Sequence, residues 1–86
     1  MTITTSRGKT FEASWAETVR TTGELLIDIS DDGRLLSSLA LDFEGIDSVT
    51  RTEDGQTPVQ YEGYSILAGM TRDAVSHSVL ITLRKE

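Results

Sequence analysis

The chain has 86 residues, of which 14 are acidic and 8 are basic, and its formal net charge is −6. A chain of this length has room for one small core, so we predict a single compact domain over residues 1–86. The chain contains no cysteine, which excludes disulfides, thiolate catalysis and cysteine-ligated metal sites. No run of leucine, isoleucine and valine exceeds three residues, as at 25–27, which is too short for a membrane span, and the first residues do not resemble a signal peptide.

Three predicted strands open the chain. Residues 2–5 are rich in β-branched side chains, and residues 10–19 and 24–30 alternate apolar and polar positions, which is typical of half-buried strands. Turn-forming residues separate the three segments, so we expect a three-stranded meander. The alternation places Trp15 in the core by default. It places Ala16, Leu26 and Leu80 on the outward side, where they would form an exposed apolar patch or be covered by a helix.

A short helix is predicted near residues 34–43. Apolar residues change to helical spacing after the turn at residues 31–33, and they fall at Leu35, Leu36, Leu39, Ala40 and Phe43. Asp31 or Asp32 would cap the start of this helix, and Gly45 would end it in a left-handed conformation.

The rest of the chain returns to strand patterns. We predict strands at residues 46–52, 59–72 and 78–85, separated by an Asp-Gly turn at 53–56 and a polar loop at 73–77. The apolar parity of the middle strand flips at Gly63, where a bulge would restore one buried face. The predicted fold is therefore mainly β (α+β), with the order β-β-β-α-β-β-β. We expect a small, strongly bent antiparallel sheet or a partly open barrel, with the helix plugging one end or covering one face.

No motif indicates chemistry at a defined site. Residues 28–33 imitate the first half of a calcium loop, but positions nine and twelve of that loop would be Leu36 and Leu39, so a helix-capping turn is the favoured interpretation. His77 is the only histidine and falls in a predicted loop, and no nucleophile elbow or phosphate-binding loop is present. We therefore predict no catalytic residue, no metal site and no cofactor, and we expect that the protein is not an enzyme.

The acidic residues are concentrated in the middle of the chain. Residues 12–62 hold twelve acids and three arginines, whereas both flanking segments are mildly basic. Nucleic-acid binding needs clustered lysine and arginine, so we expect none directly. An acidic surface suits solubility, or a protein partner with a basic groove. An exposed tyrosine, Tyr61 or Tyr64, would be a plausible anchor in such an interface.

Three stretches of the chain together resemble a known group of proteins. They are residues 8–13 (GKTFEA), 39–45 (LALDFEG) and 61–65 (YEGYS), followed by the closing strand at 79–83 (VLITL). This arrangement resembles small uncharacterised proteins encoded in prophages of gut Firmicutes. The resemblance implies a phage or mobile-element product that acts in the bacterial host cytoplasm or in a virion, and it brings no catalytic residue with it.

The leading hypothesis is a non-enzymatic, prophage-type protein-interaction module with an acidic surface that binds a basic surface on a protein partner. One version is an inhibitor of a host defence system that handles nucleic acid, with acids in place of phosphates. The alternative is a virion or tail-assembly component that self-associates through strand edges. The predicted partner-binding residues are Asp28, Asp31, Asp32, Asp42, Glu44, Asp47, Tyr61 and Tyr64.

Overall fold

The computed structural model describes residues 1–85, apart from the side chain of residue 68. It is mainly β, with one short helix, which confirms the predicted fold class. In chain order the elements are β1 (Thr2–Thr5), β2 (Thr10–Val19), β3 (Glu24–Ser30), α1 (Leu36–Phe43), β4 (Ser48–Thr52), β5 (Val59–Glu62), β6 (Tyr64–Asp73) and β7 (Ser78–Lys85).

The strands form one antiparallel sheet with the order β5-β4-β1-β2-β3-β7-β6. Its two edge strands, β5 and β6, are separated in sequence by Gly63 alone. The sheet must therefore curl until its edges approach each other at this residue, although no ladder joins β5 to β6 within residues 1–85. The bent, partly open architecture follows from this single-residue connection.

The sequence predicted one long strand over residues 59–72, and that prediction was wrong. The segment is two strands on opposite edges of the sheet, so residues 1–85 form seven strands rather than six. Gly63 adopts a φ of 81°, in the left-handed region that favours glycine. Its N–H donates to the carbonyl oxygen of Asp47 at 3.0 Å. The change of parity at Gly63 therefore reflects a corner in the chain and not a bulge within a strand.

A bulge does occur in β2. Ala13 lies opposite Ile29 and Trp15 lies opposite Asp28, so β2 contains one extra residue at Ser14. The extra residue reverses the parity of the rest of the strand. Ala16 is consequently buried, whereas Trp15 is 38% exposed. The predicted core position of Trp15 and outward position of Ala16 were both wrong for this reason.

The core lies on the concave face of the sheet. It contains alternate residues of β2, β3 and β7 together with Leu39 and Phe43 of the helix. The ring of Phe43 stacks on that of Phe11, which joins α1 to β2. The helix thus covers part of the open side of the curled sheet and contacts mainly the edge strand β6.

The start of α1 differs from the prediction, and its end agrees with it. The helix begins at Leu36, with Leu35 at the N-cap position, so neither Asp31 nor Asp32 caps it. At the other end Gly45 has a φ of 73°, as predicted. The guanidinium of Arg7 donates to the carbonyl oxygens of Leu41 and Glu44 at 3.4 and 2.8 Å, and the Leu41 oxygen also accepts the backbone N–H of Glu44 at 3.2 Å.

Candidate functional site

The corner between β3 and α1 holds two of the predicted partner-binding acids. One carboxylate oxygen of Asp31 accepts the N–H of Gly33 at 3.0 Å, and the other lies 3.4 Å from Nε of Arg72. Asp42 pairs with Arg34. Arg72 also donates to the carbonyl oxygen of Arg34, which links the two ion pairs. Both acids are therefore neutralised within the chain, and their main contribution is to hold the corner together.

The other predicted acids are spread over separate parts of the surface. Asp32 is exposed in the loop after β3 and accepts the hydroxyl of Ser30 at 2.9 Å. Glu44 and Asp47 are exposed beyond the end of α1. Asp47 shares a shallow depression of about 410 Å³ with Glu62 of β5, an acid that the sequence analysis did not select. The structure thus forms a small acidic area around Asp47 and Glu62, away from Asp28.

The two predicted tyrosines lie where the sheet edges approach each other. Their ring centroids are 6.3 Å apart in an edge-to-face arrangement. Arg51 lies 6.0 Å from the ring centroid of Tyr61, and Lys85 lies 5.8 Å from that of Tyr64. Tyr64 is only 8% exposed. It packs in the core, and the half-buried Tyr61 is the tyrosine with more surface to offer a partner.

A second depression lies on the convex face of the sheet. Trp15, Asp28, Leu80 and Thr71 stand opposite one another in a single row across β2, β3, β7 and β6. Asp73 and Ser78 lie two residues along β6 and β7 from Thr71 and Leu80, on the same face, and complete a concavity of about 260 Å³. We name this the Trp15 depression. Sequence reasoning selected Asp28 and placed Leu80 outward, but it missed Trp15 because nothing in the composition marks the bulge at Ser14.

Both carboxylates of the Trp15 depression are open to a partner. Asp28 is half-buried, and no side chain in the described part of the chain pairs with its carboxylate. Oδ1 of Asp73 accepts the backbone N–H of Val75 at 2.9 Å. This bond, with further ones from Ser76, holds the pKa of Asp73 below its ordinary value of 3.8. Asp73 is therefore ionised at neutral pH.

An apolar groove runs between α1 and the edge strand β6. It has a volume of about 520 Å³ and is lined by Ser37, Ala40, Leu41, Phe43, Glu44, Gly45, Ser65 and Leu67. Leu41 is 63% exposed at its rim. Because β6 pairs only with β7 within residues 1–85, the groove follows an open strand edge.

Other candidate chemistry is not assembled in the described residues. His77 is exposed in the turn between β6 and β7 with a φ of 53°, and its carbonyl oxygen accepts the N–H of Asp31. Leu39, at the twelfth position of the calcium-like segment, is fully buried in the core. Residues 1–85 contain no group of three or more histidine or acidic side chains arranged to hold a metal ion. The one helix they form is too short to cross a membrane.

Comparison with known proteins identifies no family for this chain. No protein-family model matches the chain, and no curated protein or solved structure shows significant similarity to it.

Proposed function

We propose that this chain is a non-enzymatic protein-interaction module whose acidic surface binds a basic surface on a protein partner. The observation that carries the proposal is the Trp15 depression, where an exposed tryptophan lies beside carboxylates that no arginine or lysine of the described chain neutralises. Tryptophan is enriched among the residues that dominate binding energy at protein interfaces. Complementary charge then selects the partner and accelerates the encounter.

The distribution of charge supports the same proposal. Two predicted acids, Asp31 and Asp42, have arginine partners within the chain. Asp28, Glu44 and Asp47 have none among residues 1–85, so no neighbouring arginine offsets their negative charge. A partner with clustered arginine or lysine is the chemistry that fits these positions.

The resemblance to prophage-encoded proteins remains a prediction, and it suggests the class of partner. In this version the chain inhibits a host defence enzyme that handles nucleic acid, and its carboxylates occupy the phosphate-binding surface of that enzyme. Such an enzyme must present a basic groove to bind its own substrate. The chain would then compete with nucleic acid without binding it.

The test is affinity capture from bacterial lysate with the immobilised protein and two charge-reversed variants. The double substitution Asp28→Lys and Asp73→Lys reverses the charge of the Trp15 depression. The double substitution Glu53→Lys and Asp54→Lys makes the same change of charge in the exposed β4–β5 turn. We expect the wild type and the turn variant to retain the same nucleic-acid enzyme, and the depression variant to lose it. Recovery of no nucleic-acid enzyme would remove the inhibitor version, and equal retention by all three proteins would place the contact elsewhere.

A virion or tail-assembly component is the second candidate. The open edge of β6 and the apolar groove beside it favour this alternative, because exposed strand edges pair with further strands. It predicts self-association of the purified protein, measured by sedimentation velocity over a wide range of concentration. Leu41→Lys should abolish self-association, whereas Leu35→Lys should preserve it, since Leu35 is equally exposed but does not line the groove. A protein that stays monomeric throughout would exclude this candidate.

A further inference from the structure

We propose that the Trp15 depression binds an arginine side chain of the partner, with the guanidinium against the indole and between the carboxylates of Asp28 and Asp73. This inference rests on the proposed function and names the chemical group that the acidic surface recognises. It predicts a defined pocket for one side chain, rather than a diffuse attraction between two charged surfaces.

The cross-strand register brings the tryptophan and one carboxylate together. Trp15 stands directly opposite Asp28 in the β2–β3 ladder, and side chains so placed have Cβ atoms about 5 Å apart. A cation within about 6 Å of an indole centroid is attracted by the electrons of the ring. A guanidinium on Trp15 would therefore also be within reach of the Asp28 carboxylate.

No ion pair within residues 1–85 neutralises the carboxylates of the depression. Two arginines on the strands that form it pair with other acids, since Arg84 of β7 lies 3.9 Å from Glu24 and Arg72 of β6 lies 3.4 Å from Asp31. Asp73 has one oxygen committed to backbone N–H groups of its own turn, in which His77 is the adjoining titratable group. The half-buried Asp28 carboxylate has no cation partner among residues 1–85, so a bound guanidinium would supply one.

Size and lining favour a single long side chain as the occupant. The depression measures about 260 Å³, which is below the range of about 300–1,000 Å³ for sites that enclose small-molecule ligands. Leu80 lies in the same row of side chains, between Asp28 and Thr71, and offers apolar surface. It suits the methylene groups of arginine, while the planar guanidinium stacks on an aromatic ring and meets carboxylates better than the compact ammonium of lysine.

The experiment uses the full chain and two capped tripeptides, Gly-Arg-Gly and its citrulline counterpart, which is neutral but nearly the same shape. Trp15 is the only tryptophan, so its fluorescence reports occupancy of the depression directly. We expect a saturable change with the arginine peptide at about millimolar concentration, and none with the citrulline peptide. Backbone amide shifts in NMR spectra should change along β2, β3 and β7 only with the arginine peptide.

Matched variants locate the site. Asp28→Asn should lower the affinity for the arginine peptide about tenfold or more, which corresponds to the loss of one charge-assisted contact. Asp54→Asn removes the same charge from the exposed β4–β5 turn and should leave the affinity unchanged. Trp15→Leu, followed by NMR, should also abolish binding. If Asp28→Asn perturbs the fold, Asp73→Asn provides the same test, because Asn keeps an oxygen that can accept the N–H of Val75.

The possible outcomes separate this inference from the proposed function. Equal binding of the arginine and citrulline peptides, or equal affinity of the Asp28→Asn and Asp54→Asn variants, would overturn the inference. Capture of the basic partner by the wild type would still support the proposed function in that case. Specific peptide binding without any captured partner would instead support the arginine site and count against the proposed function.

Discussion

Phe43 stacks on Phe11 with their ring centroids 5.1 Å apart and their planes inclined by 22°. The pair joins α1 to β2, and the guanidinium of Arg34 lies 5.5 Å from the centroid of the Phe11 ring. Phe43 is completely buried. A helix of only eight residues has little stability of its own, so this packing is what holds it in place.

Truncation of Phe43 should therefore be strongly destabilising. We expect Phe43→Ala to lower the free energy of unfolding by about 3–5 kcal/mol, through lost burial and the cavity left behind. Leu41→Ala on the exposed side of the same helix should change it by less than about 0.5 kcal/mol. Urea denaturation followed by Trp15 fluorescence measures both, and a similar loss in the two variants would show that the stack does not anchor α1.

Removal of Asp31 should weaken the β3–α1 corner. Asp31→Ala leaves the N–H of Gly33 and the guanidinium of Arg72 without their carboxylate, and we expect a loss of about 1–3 kcal/mol in the free energy of unfolding. Asp31→Asn keeps an oxygen acceptor for the N–H of Gly33 and should lower the free energy of unfolding by less than Asp31→Ala does. The neighbouring exposed Asp32, changed to Asn, serves as the control and should have almost no effect. Equal stability of the Asp31→Ala variant and the control would contradict a structural role for this carboxylate.

Gly63 should tolerate alanine poorly because of its backbone conformation. Its φ of 81° lies in the left-handed region, where a side chain costs about 1–2 kcal/mol. A Cβ at this position would also contact the side chain of Lys85 at 3.6 Å, which is an ordinary packing distance. We therefore attribute the expected loss of stability to strain rather than to a clash.

Gly69→Ala is the matched control, since that glycine has no positive φ and open space around its Cβ direction. We expect it to be neutral or to raise the free energy of unfolding by up to about 1 kcal/mol, because it removes conformational freedom from the unfolded chain. Chemical denaturation of the two variants under one set of conditions makes the comparison. A Gly63→Ala variant as stable as Gly69→Ala would argue against the left-handed backbone conformation at Gly63.

Asp73 should titrate below its ordinary pKa of 3.8, chiefly because its carboxylate accepts the N–H of Val75. A lowered pKa in the folded state means that this carboxylate stabilises the β6–β7 turn above pH 3.8, and that the contribution is lost as the pH falls through the lower folded value. Carboxyl ¹³C shifts measured against pH determine the midpoint. Ser76→Ala removes a second hydrogen-bond donor and should move the midpoint upward, whereas an unchanged midpoint would exclude Ser76 as a cause.

Alternating apolar residues were sufficient to predict most of the strands, and the change to helical spacing after residue 33 predicted α1. Two single-residue features limited that prediction. The bulge at Ser14 reverses the parity of Trp15, and the corner at Gly63 sends the two halves of one apolar segment to opposite edges. Neither feature changes the local composition, since both depend on which strands are finally paired.

The candidate site was predictable only in part for a similar reason. Asp28 could be placed on the polar side of β3, and the structure puts it on the convex face. The neutralisation of Asp31 by Arg72 joins residues that are far apart in sequence and close only after folding. A count of acids therefore overstates the free charge near α1, and it says nothing of the tryptophan that the bulge turns outward.

The last described strand, β7, is inserted between β3 and β6, and its register with β3 joins Ser30 to Ser78. During synthesis on the ribosome, β3 and β6 emerge before the strand that separates them. Until residues 78–85 follow, β6 has no ladder partner and one edge of β3 stays open. The convex face that carries Trp15 therefore assembles only after β7 has been made.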